Sequence, residues 1–427
     1  MSQPKVGIVI TGTEVLTGRV RDANGPWLAT ALREQGLDLV HITICRDRPG
    51  DVRKQLEFMA AEGMDLVVTT GGLGPTADDL TAAVVSEYMG REMTLDEELL
   101  LRIEAIVRPY AERFGWDWDA LAHGARKQAM IPNDSEILGP AGTAPGLVIG
   151  PQPDADQPVV VVLPGPPREL QNMWPEVLTS AGFQSVAAKS TVFEERMLRL
   201  FGVAEPEIAK TMREFDEQHG LDPLEVTTCL RNGETEILIS HDPSERDRCE
   251  AFVDVIQARH GDFLFSPMGK EVDQLIVAEL AGRTLALAES CTGGLIAKRL
   301  TDMPGASDFL LGGVVSYANS AKERLLDVAP ELLERHGAVS AEVARAMATG
   351  ALERFGADFA LSVTGIAGPE GASEGKPVGT VFMHAVSADG ANLPLNLVLP
   401  GDRVDVRERS GTVCLHLLLR LLQGDHE

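Results

Sequence analysis

Three short apolar runs near the start of the chain, Val6–Ile10, Leu39–Ile44 and Asp65–Thr70, are separated by helical stretches. RDANGPWLATALREQG reads as an amphipathic helix ending at Gly36, and Asp51–Glu62 as a second. Apolar strands alternating with helices predict a parallel sheet covered on both faces. Ligands of such sheets bind beyond the C-terminal ends of the strands. The polar residues of this part of the chain collect at those ends: Glu14, Asn24, Asp47 and the Gly71–Asp79 loop.

That loop, GGLGPTADD, follows a strand and precedes a helix, a context suited to cradling a phosphate or pyrophosphate. Gly71, Gly72, Gly74 and Thr76 are its candidate ligand-binding residues. Glu14, Asp47, Asp78 and Asp79 are hard oxygen donors and suit a divalent ion, Mg, Mn or Co. The alternative is that they are solvated loop carboxylates, Asp79 serving only a capping box begun by Thr76. Further on, GPAGTAPGLVIG suggests a tight turn at a site, at Gly142 and Gly146, with Gly142 a further candidate binding residue. The strand Val159–Leu163 runs into PGPPREL, adding Pro164 and Gly165 to the candidate binding residues and starting a helix at Pro167, with Glu169 in its first turn.

The stretch Thr284–Lys322 carries a second candidate centre. Thr284–Ala288 reads as a buried strand, Glu289–Gly294 as a turn and Leu295–Leu300 as the start of a helix. Ser290 therefore stands at a strand-to-helix junction, where unpaired backbone N–H groups favour an anion. Thr292, Gly293 and Gly294 complete the turn. Ser307, a strand expected at Gly313–Tyr317, and Lys322 follow. Ser, Tyr and Lys brought to one rim make an amide-hydrolysing centre, in which a Lys neutralised by burial serves a Ser hydroxyl as base. The plainer reading makes Ser290 an N-cap. Cys291 is a competing nucleophile without a nearby cation to activate it. Downstream, Thr364, Gly365 and Gly368 lie in a loop whose N–H groups can face an anion. Arg403 and Arg407, four apart, share a helix face and are candidates for binding a nucleotide phosphate, the alternative being a plain exposed charged stripe.

Between these parts, residues 175–261 read as a small α+β module with a hairpin at Asn232-Gly233 and no catalytic cluster. The chain has 427 residues and a formal net charge of −26, which disfavours direct nucleic-acid binding. Five cysteines, at 45, 229, 249, 291 and 414, form no CxxC pair and point to a reducing compartment. No signal peptide and no membrane-spanning run is recognised, so a cytoplasmic protein is expected. A homodimer is the default expectation for a multidomain enzyme.

The motifs AESCTGG, PGASDFLLGGVVSYANSAK, GAVSAEVARAMATGA, SVTGIAGPEG and PVGTV resemble the C-terminal domain of the competence/damage-inducible CinA family, which is similar to nicotinamide mononucleotide (NMN) deamidases. TGTEVLTG, RDAN, Asp47, TTGGLGPTADDLT, GTAPG and LPGPPREL resemble that family's N-terminal domain, of the MoaB/MogA molybdopterin-binding type. The resemblance implies an α/β protein of three parts. They are a three-layer MoaB/MogA-like domain over 1–174, the small α+β domain over 175–261, and an α/β deamidase domain over 262–427. It further implies a bifunctional enzyme of pyridine-nucleotide salvage. Ser290 would be the nucleophile, Lys322 the base, Tyr317 and Ser307 further members of the centre, and Thr364–Gly368 the holder of ribose or phosphate, with no cofactor needed. The N-terminal domain would hydrolyse ADP-ribose to AMP and ribose 5-phosphate with a divalent metal. Small nucleotides are the expected partners. A molybdopterin-binding or adenylylating protein, and a non-enzymatic accessory of competence or DNA repair, are the alternatives.

Overall fold

The computed structural model describes residues 3–153 and 155–424. The chain divides into two compact units, Met1–Phe193 and Glu194–Glu427.

The first unit is built on a six-stranded sheet. Its strands are β1 (Lys5–Thr11), β2 (Asp38–Cys45), β3 (Leu66–Thr70), β6 (Glu136–Leu138), β7 (Gly146–Ile149) and β8 (Val159–Leu163); β4 (Met93–Leu95) and β5 (Met130–Pro132) form a separate ribbon. The order is β2-β1-β3-β8-β7-β6, parallel through β8 and antiparallel beyond it. Alternate residues of each strand enter opposite cores. Val9, Val67, Val160 and Val162 pack with Val52, Leu56 and Val85 on one face. Ile8, Val68, Val161 and Leu163 pack with Leu28, Leu170 and Phe183 on the other. This is the three-layer arrangement that near-continuous apolar strands require. The expected break at 174/175 falls inside the helix Pro167–Thr179, whose Trp174 and Val177 are buried in the second of these cores. The first unit therefore extends to Phe193.

The second unit holds two sheets. The smaller, β10-β11-β9-β12, is antiparallel: β9 (Glu194–Phe201), β10 (Leu224–Arg231), β11 (Glu234–His241) and β12 (Leu264–Ser266). The predicted hairpin is present between β10 and β11. The expected boundary at 261/262 is crossed by this sheet, because Leu264 pairs with Leu200. The larger sheet has the order β14-β13-β15-β16-β17. Its members are β13 (Leu285–Glu289), β14 (Leu310–Val315), β15 (Phe359–Gly365), β16 (Thr380–Ser387) and β17 (Asn392–Val398). β14, β13 and β15 are parallel, and β16 and β17 antiparallel. Leu285, Leu287 and Val381 face the 20-residue helix Arg403–Leu422, and Ala286, Ala288 and Ala360 face the helix Ala341–Phe355. No helix among the described residues is long and apolar enough to cross a membrane.

Candidate active sites

The C-terminal ends of β13 and β14 deliver Ser290 and Ser316, the residues immediately after the two strands. Ser290 is not a helix cap. The helix Leu295–Thr301 is preceded by Gly294 in the left-handed region, and its open N–H groups are taken by Glu289. The Glu289 carboxylate, 2% exposed, accepts from the Thr292 hydroxyl at 2.7 Å and from the backbone N–H groups of Gly294, Ile296 and Ala297 at 3.0, 3.2 and 2.8 Å. That helix end, expected to receive a phosphate or oxyanion, is thus occupied from within. Thr292 holds the turn rather than a ligand.

Ser290 is instead paired with Lys322. The Lys322 Nζ lies 3.0 Å from Ser290 Oγ and donates to the Ser316 carbonyl at 2.6 Å. Lys322 is 1% exposed, and burial lowers its amine from the usual lysine range, against a smaller opposing effect of Cys291. It makes no ion pair with a carboxylate among the described residues. Burial also pushes the Cys291 thiol up to about 11. Cys291 therefore stays protonated at neutral pH and loses the competition for nucleophile.

Ser307 does not join the centre. It is exposed in the turn Ala306–Asp308, which precedes β14. Leu310 pairs with Leu285 and Val315 with Glu289, so Ser307 stands at the opposite edge of the sheet from Ser290. Five strand residues separate those edges by roughly 17 Å. The expected strand Gly313–Tyr317 begins earlier, at Leu310, and that shift is the source of the misplacement. Tyr317 is 59% exposed, and its hydroxyl accepts from Arg403 at 2.7 Å. It has no bond to Ser290 or Lys322, so holding substrate suits it better than moving a proton. Arg403 also donates to the Gly368 carbonyl at 2.8 Å, and Arg407 to the Cys291 and Thr292 carbonyls at 3.2 and 2.8 Å. The two arginines share a face, as their spacing predicts, and brace the loops around Ser290. Thr364 donates to the Ala338 carbonyl at 2.8 Å and is 1% exposed, and Gly365 is the last residue of β15. Gly293 and Gly294 adopt positive φ of 63° and 93°.

In the first unit, one cavity of about 530 Å³ opens at the ends of β1, β3 and β8. Glu14, Asn24, Asp47, Gly71, Gly72, Gly74, Asp78, Asp79, Pro164 and Gly165 all line it. Gly71 has φ 104°, and a Cβ there would strike the Thr11 carbonyl, so the strand-to-loop turn demands glycine. Thr76 is exposed and lies outside the lining. Its backbone N–H donates to Asp79 at 2.9 Å, and its hydroxyl to Asp78 and Asp79. The capping-box bond is present, but the helix starts only at Thr81, so it closes a turn instead. Asp47 accepts from the Thr13 N–H and hydroxyl at 2.9 and 3.1 Å. The Asn24 amide donates to Thr70 Oγ1 and the Gly165 carbonyl at 2.9 and 2.7 Å, and Thr70 donates in turn to the Pro164 carbonyl. Gly142 packs against Glu169 and is not a lining residue. Two residues that the motifs did not flag hold the glycine-rich loop: Lys127 donates to the carbonyls of Gly74, Thr76 and Asp79, and Gln128 to that of Leu73.

Among the described residues no three His, Cys, Asp or Glu side chains converge into a ready metal cage. The four predicted carboxylates nevertheless share the cavity, and hard oxygens around a cleft suit an ion that completes its shell with phosphate oxygens and water.

Two family models match the chain: the probable molybdopterin binding domain over residues 7–181 and the CinA C-terminal domain over residues 268–422. A CinA-like protein from Mycobacterium sp. (strain MCS) is 52% identical over 421 residues, covering 98% of this chain and 99% of the relative. The chain belongs to the CinA-like protein family. A second member, from Mycobacterium marinum (strain ATCC BAA-535 / M), is 50% identical over 423 residues, 98% of both chains. The competence/damage inducible protein CihA from Agrobacterium tumefaciens has a crystal structure that is 39% identical, covering 35% of this chain and 94% of its own, with a TM-score of 0.34. The architecture is accordingly mixed α/β, a molybdopterin-binding-type domain followed by a CinA C-terminal domain.

Proposed function

We propose that this CinA-like protein hydrolyses the carboxamide of NMN at the Ser290–Lys322 centre. The observation that carries the reading is a buried lysine amine 3.0 Å from a serine hydroxyl, with its proton affinity lowered by burial. With Nζ neutral, the contact runs from the Ser290 hydroxyl to the amine. Ser290 Oγ attacks the amide carbon as Lys322 takes its proton, and Lys322 returns that proton to the departing nitrogen, releasing ammonia. Water then cleaves the Ser290 ester, giving nicotinate mononucleotide and the free hydroxyl. Tyr317, Arg403 and the Thr364–Gly368 segment would hold ribose and phosphate. Ammonia release from NMN by the purified protein, with and without EDTA, is the test. Release untouched by EDTA is expected; a correctly folded protein that releases none overturns the reading.

For the first unit the same salvage role is inferred: cleavage of the ADP-ribose pyrophosphate to AMP and ribose 5-phosphate. A glycine-rich loop and four carboxylates around one cavity support it. Glu14, Asp47, Asp78 and Asp79 would hold a divalent ion there. A bound ion supplies charge neutralisation of the phosphates. Product formation lost in excess chelator and restored by added Mg²⁺ or Mn²⁺ is the expected result. The match to the probable molybdopterin binding domain favours one other reading, a pterin ligand in the same cavity, which a binding titration with molybdopterin against ADP-ribose decides.

A further inference from the structure

Glu169 lies in the first turn of the helix Pro167–Thr179 and lines the cavity of the first unit, on the wall that β8 contributes. Among the described residues it is a carboxylate of this cavity with no hydrogen-bond or salt-bridge partner. Glu14 is a second one, already assigned above to the divalent ion, and the remaining carboxylates of the lining are fixed by donors. Asp22 caps the helix at Asn24, accepting from the Asn24 and Gly25 N–H groups at 2.9 and 3.1 Å. Asp47 is taken by Thr13, and Asp78 and Asp79 by Thr76. A carboxylate fixed by donors is a weak base, because those bonds stabilise its ionised form.

Room for Glu169 is made by a glycine. Gly142 packs against the carboxyl so closely that a Cβ at 142 would collide with all three of its carboxyl atoms. No positive φ is recorded for Gly142, so a larger residue there would displace the Glu169 carboxyl rather than strain the backbone. Gly165, four residues before Glu169, passes close to Gly71, which places this wall beside the glycine-rich loop. Burial raises the Glu169 carboxyl from its usual range, which strengthens it as a base once ionised.

Resting on the pyrophosphate-cleavage reading above, we propose that Glu169 is the general base of that reaction, held against Gly142 and free of competing donors. Water attacks one phosphorus, forming a new P–O bond. The bridging P–O bond breaks, its electron pair leaving on the oxygen of the departing phosphate. The water proton passes to the Glu169 carboxylate and from there to solvent, so two phosphomonoesters result from one pyrophosphate and one water.

The test is steady-state hydrolysis of ADP-ribose by the full-length protein at saturating Mn²⁺. Glu169→Gln, which keeps size and removes basicity, is expected to lower kcat by about 100-fold or more, with KM within about threefold and an unchanged circular dichroism spectrum. Glu169→Asp is expected to recover part of the loss. An unchanged kcat in Glu169→Gln, or a raised KM with kcat intact, overturns the proposal while leaving the cleavage reading standing. A wild-type protein that leaves the pyrophosphate whole overturns both. Should Glu169→Gln fail to fold, Gly142→Ala decides, since it displaces the carboxylate without removing its charge. Folded Gly142→Ala with a kcat at least about tenfold lower supports the base, and one with full kcat overturns it.

Discussion

A lysine amine in water keeps its proton until about pH 10.4. Lys322 cannot be treated that way: it is 1% exposed, and its partners are a hydroxyl and a carbonyl. The sign follows directly. A lowered folded-state pKa puts more of the amine in its basic form at neutral pH, so deamidase activity should rise with pH through a limb below the ordinary lysine range. Lys322→Arg cannot deprotonate and should cost about 100-fold or more in kcat/KM, with that limb gone. Ser290→Ala should cost several orders of magnitude, of order 10⁴ or more; near-wild-type ammonia release by either variant would remove the pair from the chemistry. Ser290 and Lys322 were legible because each is a reactive side chain in a distinctive motif. Ser316 and Glu289 were not. Ser316 contributes a backbone carbonyl, which no side-chain pattern reveals, and Glu289 is a buried acid in an apolar strand, disclosed only by the four donors it receives.

At the scale of elements, β16 carries a group with a measurable cost. His384 is 4% exposed, neither ring nitrogen has a hydrogen-bond partner, and burial, followed by Arg345, lowers it to about 4. A histidine neutral in the fold and freer to protonate when unfolded weakens the fold as pH falls from about 6.5 toward 4. A shift of that size corresponds to roughly 3 kcal/mol. Urea unfolding at pH 7 and pH 4.5 should therefore show a loss in the wild type that His384→Leu lacks; equal losses would place the sensitivity elsewhere. β17 escaped prediction for a simple reason. Pro394 interrupts its pattern, which is tolerable only because β17 is an edge strand. The Gly71–Asp79 loop was readable as glycine-rich, while Lys127 arrives from a helix some fifty residues away and is invisible to any local motif. Its lowered proton affinity, from burial, is opposed by Asp79 and Asp78.

Across the whole molecule, alternation of strand and helix gave the parallel part of the first unit's sheet, and the predicted boundaries at 174/175 and 261/262 lie inside the two compact units. They fell where composition changes, whereas the units end where packing does. The second unit is stitched across position 261. His416 lies 2.8 Å from Glu234 and stacks on Phe201 at 3.8 Å, and Arg199 approaches Glu234, Glu236 and Glu271. A fragment of residues 262–427 loses Phe201, Arg199 and Glu234 and leaves His416 and Glu271 without them. Its midpoint in urea should lie below that of residues 194–427, which keeps every one of these contacts; a matching midpoint would show the smaller sheet to be dispensable. The two centres should also answer differently to one reagent, chelator abolishing ADP-ribose cleavage and sparing ammonia release.

The bare surroundings of Lys322 bear on chemical inhibition. Among the described residues no carboxylate pairs with Lys322, and the neighbouring Glu289 is already taken by four donors, so the neighbourhood of Ser290 Oγ suits neutral reacting groups better than amidines or guanidines. A boronic acid or an aldehyde, uncharged until Ser290 adds to it, presents nothing that needs a counter-charge on entry. A trapping compound for this centre should thus be neutral at its warhead and carry any charge at its far end.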